Sequence, residues 1–363
     1  MHYDYKMTKN PLQAVFNDLK LFEQNRFCYN YLRKDFTDKT EEKLKNHADI
    51  ASACFRQASE YYKVASNASI STSPLLYSYA LNNLLKGVCY LKSYDDEILD
   101  GFKAHGFKVD KTFIKEDALN SKITVMKQKG AVHSLLKLYN NSLIKQEIPL
   151  YKILRHIPDI ERFYFKLVGS ISLIAKSNKN EEEDYTLFGN VIDEEIRKIF
   201  ISFALMGDPV SNLEDFWCCT TMRTEEYFNK NIFNRNNVFY KDYMNIPEKF
   251  EEGVKDINIS FYCYLLIMSY GMMVRYNANI WEKYIDKKNS SYSTLIELSI
   301  PNAVINFYYQ MHYLLFGFYY ENDSYSENDI KKMIDASTVD IMNNITKKIK
   351  SNSFRNNERV VLP

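Results

Sequence analysis

Between Ser73 and Leu91 the chain is apolar on nearly every side of a helical wheel: Leu75, Leu76, Tyr79, Ala80, Leu81, Leu84, Leu85, Val88 and Leu91 leave almost no wet face. A helix of that kind belongs inside a shell of other helices. Ser73 suits the N-cap, and Pro74 the first helical position, where a missing N–H would be unpaired anyway. Just upstream, Ile50, Ala51, Cys54, Phe55, Ala58, Tyr61, Tyr62 and Ala65 recur on a helical period, with Arg56, Glu60 and Lys63 mostly off the stripe. This predicts a helix from His47 to Ala65 with one buried face, paired with a central second helix. Two later runs have the same all-round apolar character, Ile259–Tyr276 and Pro301–Tyr320. Gly271, inside the first of these, would let another helix approach closely.

The polar residues inside these runs are the candidate site. Asn82, Asn83 and Lys86 interrupt the central helix, and Asn82 and Lys86 share a face. They either tie helix to helix, with Lys86 reaching out to water, or line a ligand cavity, because a buried polar group is costly without a partner. Asn302, Asn306 and Gln310 form a second polar seam, expected to meet the first. His105, beside Gly106 just beyond the central helix, either makes a structural hydrogen bond or does acid–base work near neutral pH. Arg275 suits a helix C-terminus, or it holds a phosphate or carboxylate by a bidentate contact. Trp281, a few residues on, joins Asn82, Asn83, Asn302 and Asn306 as a binding candidate.

Taken in order, Pro11–Leu32 is the first helical candidate, and Asp35–Asn46 a charged connector that could lengthen the His47 helix. Residues 108–138 lose helical periodicity; Ile123, Val125 and the following KQKG predict a small β element near 108–130, with a short helix after it. Pro149 and Pro158 each start a helix. KSNKNEEED (Lys176–Asp184) reads as a solvated loop. Val191–Leu205 reads as a helix, or as a strand near Ile199–Phe203, and Ser211–Lys255 as an asparagine-rich loop suited to partner binding or a lid. Ser326–Lys350 is a final amphipathic helix. The fold class expected is mainly α, a multi-helix bundle around two or three buried helices. The units expected are 1–107, 108–184 and 185–350, the last a helical unit packing on the first, followed by a mobile tail at 351–363.

Composition excludes several functions. With net charge +1, the chain is not built wholesale to coat nucleic acid. No cysteine pair has CxxC spacing and no histidine pair has HExxH spacing, so no metal is expected and the six cysteines read as reduced, cytoplasmic thiols. The most apolar run is too short for a bilayer, and the polar N-terminus has no signal-peptide core. GxxxxGK[ST], GxGxxG and GxSxG are absent, and no cofactor is expected.

The string SPLLYSYALNNLLKG with AHG after it, and GMMVRYNANIW with IPNAVINFYY after it, resemble the YaaC-like family of bacterial proteins over about Leu12–Tyr320. The resemblance implies an intracellular protein and supplies no catalytic residue. The leading functional expectation is a non-enzymatic binding or interaction module, with a protein partner or a second copy of itself. The alternative is an enzyme acting on RNA or a nucleotide in a toxin or anti-phage setting, with Lys86, His105 and Arg275 converging on one cleft. A helix pair ending in a lysine and a histidine resembles small HEPN ribonucleases, which carry an arginine one to two helical turns before a histidine. None of the six histidines has an arginine at that spacing. The nearest relic, Arg235 to Tyr240, puts a phenol where the base should stand. An oligomeric scaffold is the third expectation.

Overall fold

The computed structural model describes residues 4–109, 119–126, 130–140, 146–157, 160, 164, five strands between 174 and 245, and 258–287, 290 and 292–322. In chain order its elements begin with β1 (Asp4–Thr8), α1 (Pro11–Leu21), α2 (Asn25–Asp35), α3 (Glu41–Ser66), α4 (Ser73–Lys92) and α5 (Asp96–Leu99). A 3-10 turn (Asp100–Lys103) leads to β2 (Phe107–Val109), β3 (Lys122–Val125), α6 (Gly130–Leu138), β4 (Gln146–Pro149) and α7 (Leu150–Leu154). Next come β5 (Ile174–Lys179), β6 (Asp184–Gly189), β7 (Pro209–Leu213), β8 (Phe216–Arg223) and β9 (Tyr243–Asn245). The chain then returns to helices α8 (Ile259–Tyr276), α9 (Ala278–Ile285) and α10 (Ser293–Phe316), and ends in β10 (Phe318–Asn322). The fold is mainly helical, as expected.

The centre is α4, packed against α3, α8 and α10. The charged connector does lengthen the helix before it: α3 starts at Glu41, with the Thr40 hydroxyl accepting from the Lys43 N–H at 3.4 Å and two glutamates facing the positive end of the helix dipole. On α4, Leu81, Leu84, Leu85, Val88 and Leu91 are at most 1% exposed. Each such side chain contributes about 1.5–3 kcal/mol on burial. The helix starts one residue before the expected point: Thr72, not Ser73, is the N-cap, with no side-chain cap bond, and Pro74 is the second helical residue. α8 runs antiparallel to α4: Tyr264 meets Asn82, and Gly271, further along α8, meets Ser78, one turn earlier on α4.

The expected small β element is a three-stranded antiparallel sheet, β2-β3-β4. Ile123 opposes Ile148 across it, and Val125 opposes Phe107. Ile123 and Val125 alternate with Thr124 and point into the core, as a strand's period of two requires.

Four expectations need correction. The first helical candidate is two helices, broken at residues 22–24, where the Cys28 thiol donates to the Phe22 carbonyl. Pro301 does not start the third buried helix, because α10 begins at Ser293 and carries Pro301 in its interior. Its lost N–H and ring clash are costly in a helix interior, so packing overrides the local stop signal. That helix also ends early, at Gly317 with φ +75°, and Phe318–Asn322 pairs in parallel with β1. Finally, the solvated and asparagine-rich loops hold strands. β5 to β9 form one antiparallel sheet in the order β7-β8-β6-β5-β9. Ladder bonds are made by backbone groups that almost any residue supplies, so polar composition hides them. The helices expected after Pro158, at 191–205 and at 326–350, and the tail, lie outside the described residues.

Candidate functional site

The site begins with one stripe of α4. Tyr79, Asn82, Asn83 and Lys86 follow one another at steps of three, one and three and are half-buried, while most of the helix around them is fully buried. Asn82 is used internally: its Oδ1 accepts from the Tyr264 hydroxyl of α8 at 2.9 Å. Asn83 is used locally, its Nδ2 donating to the Tyr79 carbonyl one turn back at 3.0 Å. Lys86 has neither hydrogen bond nor ion pair among the described residues. Its charge is felt by Cys54 of α3, whose thiol burial pushes above its usual range and Lys86 pulls partly back.

His105 is held by its backbone. The N–H groups of Ala131 and Val132, in the first turn of α6, donate to the carbonyls of Ala104 (2.9 Å) and His105 (3.2 Å), and the Met126 N–H donates to the Gly106 carbonyl at 2.8 Å. Gly106 and Gly130 both have positive φ, at 86° and 80°. A Cβ on Gly130 would fall 2.1 Å from the Gly106 nitrogen, so only glycine permits this approach. The result is an anchored turn that presents an exposed imidazole. Neighbouring protein removes enough water from the ring to lower its pKa, and the charge of Arg275 lowers it further.

Arg275 comes from the last turn of α8 and is exposed. Its Nη1 makes one long hydrogen bond, 3.5 Å, to the Tyr79 hydroxyl. Its guanidinium carbon lies 5.1 Å from the centre of the Tyr276 ring. Tyr79 in turn packs on Tyr61 of α3, with ring centres 5.3 Å apart. No carboxylate pairs with Arg275 among the described residues. Thus Arg275, His105 and Tyr79 meet at one corner. Lys86 lies seven residues along α4 from Tyr79, about 10 Å of helical rise on the same stripe.

The family model for the YaaC-like proteins matches residues 20–315. The chain belongs to the YaaC-like family. The match runs from the end of α1 to the last turn of α10, so every residue of the corner lies inside the YaaC-like region. No curated protein and no solved structure matches the chain.

The other candidates of this YaaC-like chain are not brought to the corner. Trp281 is 1% exposed and donates its indole N–H to the Ile70 carbonyl at 3.1 Å. Asn302 and Asn306 do not meet the α4 seam. Their amides donate one turn back along α10, to Leu298 (3.0 Å) and Asn302 (2.8 Å), because a carbonyl in the same helix is always within reach. Gln310 accepts instead from Asn258 at 3.2 Å.

Two features escape sequence reasoning. Tyr79 extends the Asn82–Lys86 stripe back one turn, but the sequence presents it as one more apolar position of the helix, among 29 tyrosines. The second is a buried cluster in which His312 of α10 meets Asp18 of α1 at 2.9 Å, and the Tyr320 hydroxyl donates to the same carboxylate at 2.8 Å. Nothing local couples residues nearly 300 positions apart. A small cavity between α1, α3 and α10, walled by Phe16, Phe55, Tyr62 and Tyr308, has about 40 Å³ of room. That suits a few waters rather than a ligand. Among the described residues no group of His, Cys, Asp and Glu could hold a metal ion, and no helix is long and apolar enough to cross a membrane.

Proposed function

We propose that this YaaC-like protein is a binding module that recognises an anionic group at the corner formed by α4, the C-terminal end of α8 and the His105 turn. The observation that carries the reading is the missing counter-charge. Lys92, further along α4, is paired with Asp35 at 3.9 Å and the Tyr31 hydroxyl at 3.2 Å. Lys137 is paired with Glu97 and Asp95. Lys86 and Arg275 have no acid, and the His105 ring has no hydrogen-bond partner, among the described residues. A guanidinium carries five donors in a fork that fits phosphate or carboxylate, and Arg275 spends one of them on a long bond. We also place the protein in the reducing cytoplasm, since Cys28, Cys54, Cys89 and Cys263 are free and buried.

The test is calorimetric titration of the full chain with inorganic phosphate and pyrophosphate at low salt. Binding should weaken about ten- to hundredfold in Arg275→Ala and in Lys86→Met, as expected for charge-assisted hydrogen bonds of about 1.5–3 kcal/mol. Circular dichroism should show both variants folded. If the unmodified protein binds no phosphate, the reading fails.

One observation favours a second reading, an RNA- or nucleotide-hydrolysing enzyme. His105 has a lowered pKa, so its ring can accept a proton at neutral pH beside a cation suited to a phosphoryl oxygen. Turnover of oligoribonucleotide by the pure protein, lost in His105→Ala, would replace the binding reading with this one. Binding without turnover would discard it.

A further inference from the structure

We infer that the anion bound at this corner carries an aromatic ring next to its phosphate, as a nucleoside phosphate does, and that Tyr276 is the platform on which the ring lies. The inference rests on the anion-binding reading above and adds the identity of the group beside the charge.

Tyr276 is one of three large apolar side chains exposed among the described residues, with 59% of its surface in water. An isolated exposed tyrosine would need no explanation. This one is adjacent in sequence to the unpaired arginine and lies under its guanidinium at 5.1 Å. The same guanidinium reaches the Tyr79 hydroxyl at 3.5 Å, and the Tyr79 ring packs on Tyr61. The guanidinium thus meets one ring and one phenol hydroxyl. Tyr79 and Tyr61 are half-buried and support each other, whereas Tyr276 is open.

A phosphate or carboxylate alone would use the guanidinium and leave Tyr276 idle. A nucleotide uses both: its phosphate takes the Arg275 donors left over by Tyr79, and its base covers the ring that the protein leaves wet. Aromatic side chains beside a basic group favour bases by stacking and by the cation–π character of arginine, with little preference among sequences. A larger purine face should then be preferred over a pyrimidine. Lys86, on the same stripe as Tyr79, adds charge at the phosphate end, and His105, near enough for Arg275 to lower its pKa, offers a ring N–H.

The experiment compares inorganic phosphate, ribose 5-phosphate, adenosine monophosphate, cytidine monophosphate and a short oligoadenylate on the full chain by calorimetry. Adenosine monophosphate should bind at least about tenfold tighter than inorganic phosphate or ribose 5-phosphate, and tighter than cytidine monophosphate. In Tyr276→Ala the ratio of adenosine monophosphate to ribose 5-phosphate affinity should fall toward one; in Tyr276→Phe it should persist. Because Tyr276 is largely exposed, truncating it leaves the fold intact. Oligoadenylate binding tighter than adenosine monophosphate would place the nucleotide unit in RNA; equal binding would place it in a free nucleotide. Phosphate, ribose 5-phosphate and adenosine monophosphate binding equally well would overturn this inference and leave the anion site standing. No binding by any of them would overturn the anion site itself.

Discussion

The corner depends on how closely α8 approaches α4, and Gly271 sets that distance. A Cβ at Gly271 would lie 2.6 Å from the Ser78 Oγ, 2.7 Å from its Cβ and 3.3 Å from the Pro74 carbonyl oxygen. Two effects oppose each other in Gly271→Ala. Helix propensity favours alanine by about 1 kcal/mol. Overpacking disfavours it by about 1–3 kcal/mol, and here the upper half of that range applies. The closest carbon is a Cβ fixed to the α4 backbone, so no rotamer change relieves it and the helices must separate. The net expectation is a loss of about 1–2 kcal/mol.

The assay is urea denaturation followed by far-UV circular dichroism, run as a double-mutant cycle with Ser78→Gly. That second change removes both overlapping side-chain atoms. In its background Gly271→Ala should recover the propensity term and become stabilising by about 1 kcal/mol. The sign should therefore reverse between the two backgrounds. Separation of the helices in Gly271→Ala also carries Arg275 away from Tyr79, so phosphate affinity should fall with stability and return in the double variant. If Gly271→Ala stabilises the protein with Ser78 in place, or has the same sign in both backgrounds, the close approach does not govern this interface.

Two more outcomes follow from the same coordinates. Gly130→Ala combines a positive φ with a clash against the Gly106 backbone; it should cost on the order of 2–4 kcal/mol by denaturation and shift the His105 ring signals in NMR, whereas a silent substitution would mean that His105 is not anchored there. His47, His133 and His312 all have pKa values lowered first of all by burial, so the unfolded chain binds protons more readily than the folded one. Their contribution is complete above the unfolded value of about 6.5 and is lost as pH falls through the folded values, so the urea midpoint should drop between about pH 7.5 and about pH 5.5; a midpoint that rises on acidification would contradict this.

What the sequence made legible was whatever repeats within one or two helical turns. The stripe from Ile50 to Ala65, the wet-face-free run of α4 and the glycine in α8 are local patterns, and each has its expected structure. Pro301 misled because a local stop signal was outweighed by the apolar residues on both sides of it, Leu295 and Ile296 before and Val304 and Phe307 after, all buried. KSNKNEEED misled because charge reports affinity for water and says nothing of whether the backbone finds a ladder partner. The pairing of β1 with β10, and of Asp18 with His312, joins the two ends of the described chain, where no periodicity operates. In the site, Lys86 and Arg275 were visible as charges in apolar runs. Tyr79 and Tyr276 were not: both sit in apolar runs, and the place of Tyr276 beside Arg275 does not show that its ring stays in water.

The polar groups of the bundle divide into two kinds, and the division argues for a ligand. Asn82, Asn83, Asn302 and Asn306 each have a donor or acceptor satisfied within the protein, three of them by a carbonyl one turn back. Trp281 and Gln310 are satisfied across the core. These residues hold the helices. Open to solvent, two cations without an acid among the described residues and one imidazole stand together, carried by α4, α8 and a turn that two glycines and the first amides of α6 hold in place. The dipole of α8 accounts for an arginine at its end, and snorkelling accounts for a lysine on a central helix. Neither accounts for both standing without an acid on the same side of α4 as a rigidly presented imidazole and an open ring. An incoming anion supplies the charge that the chain withholds at this corner.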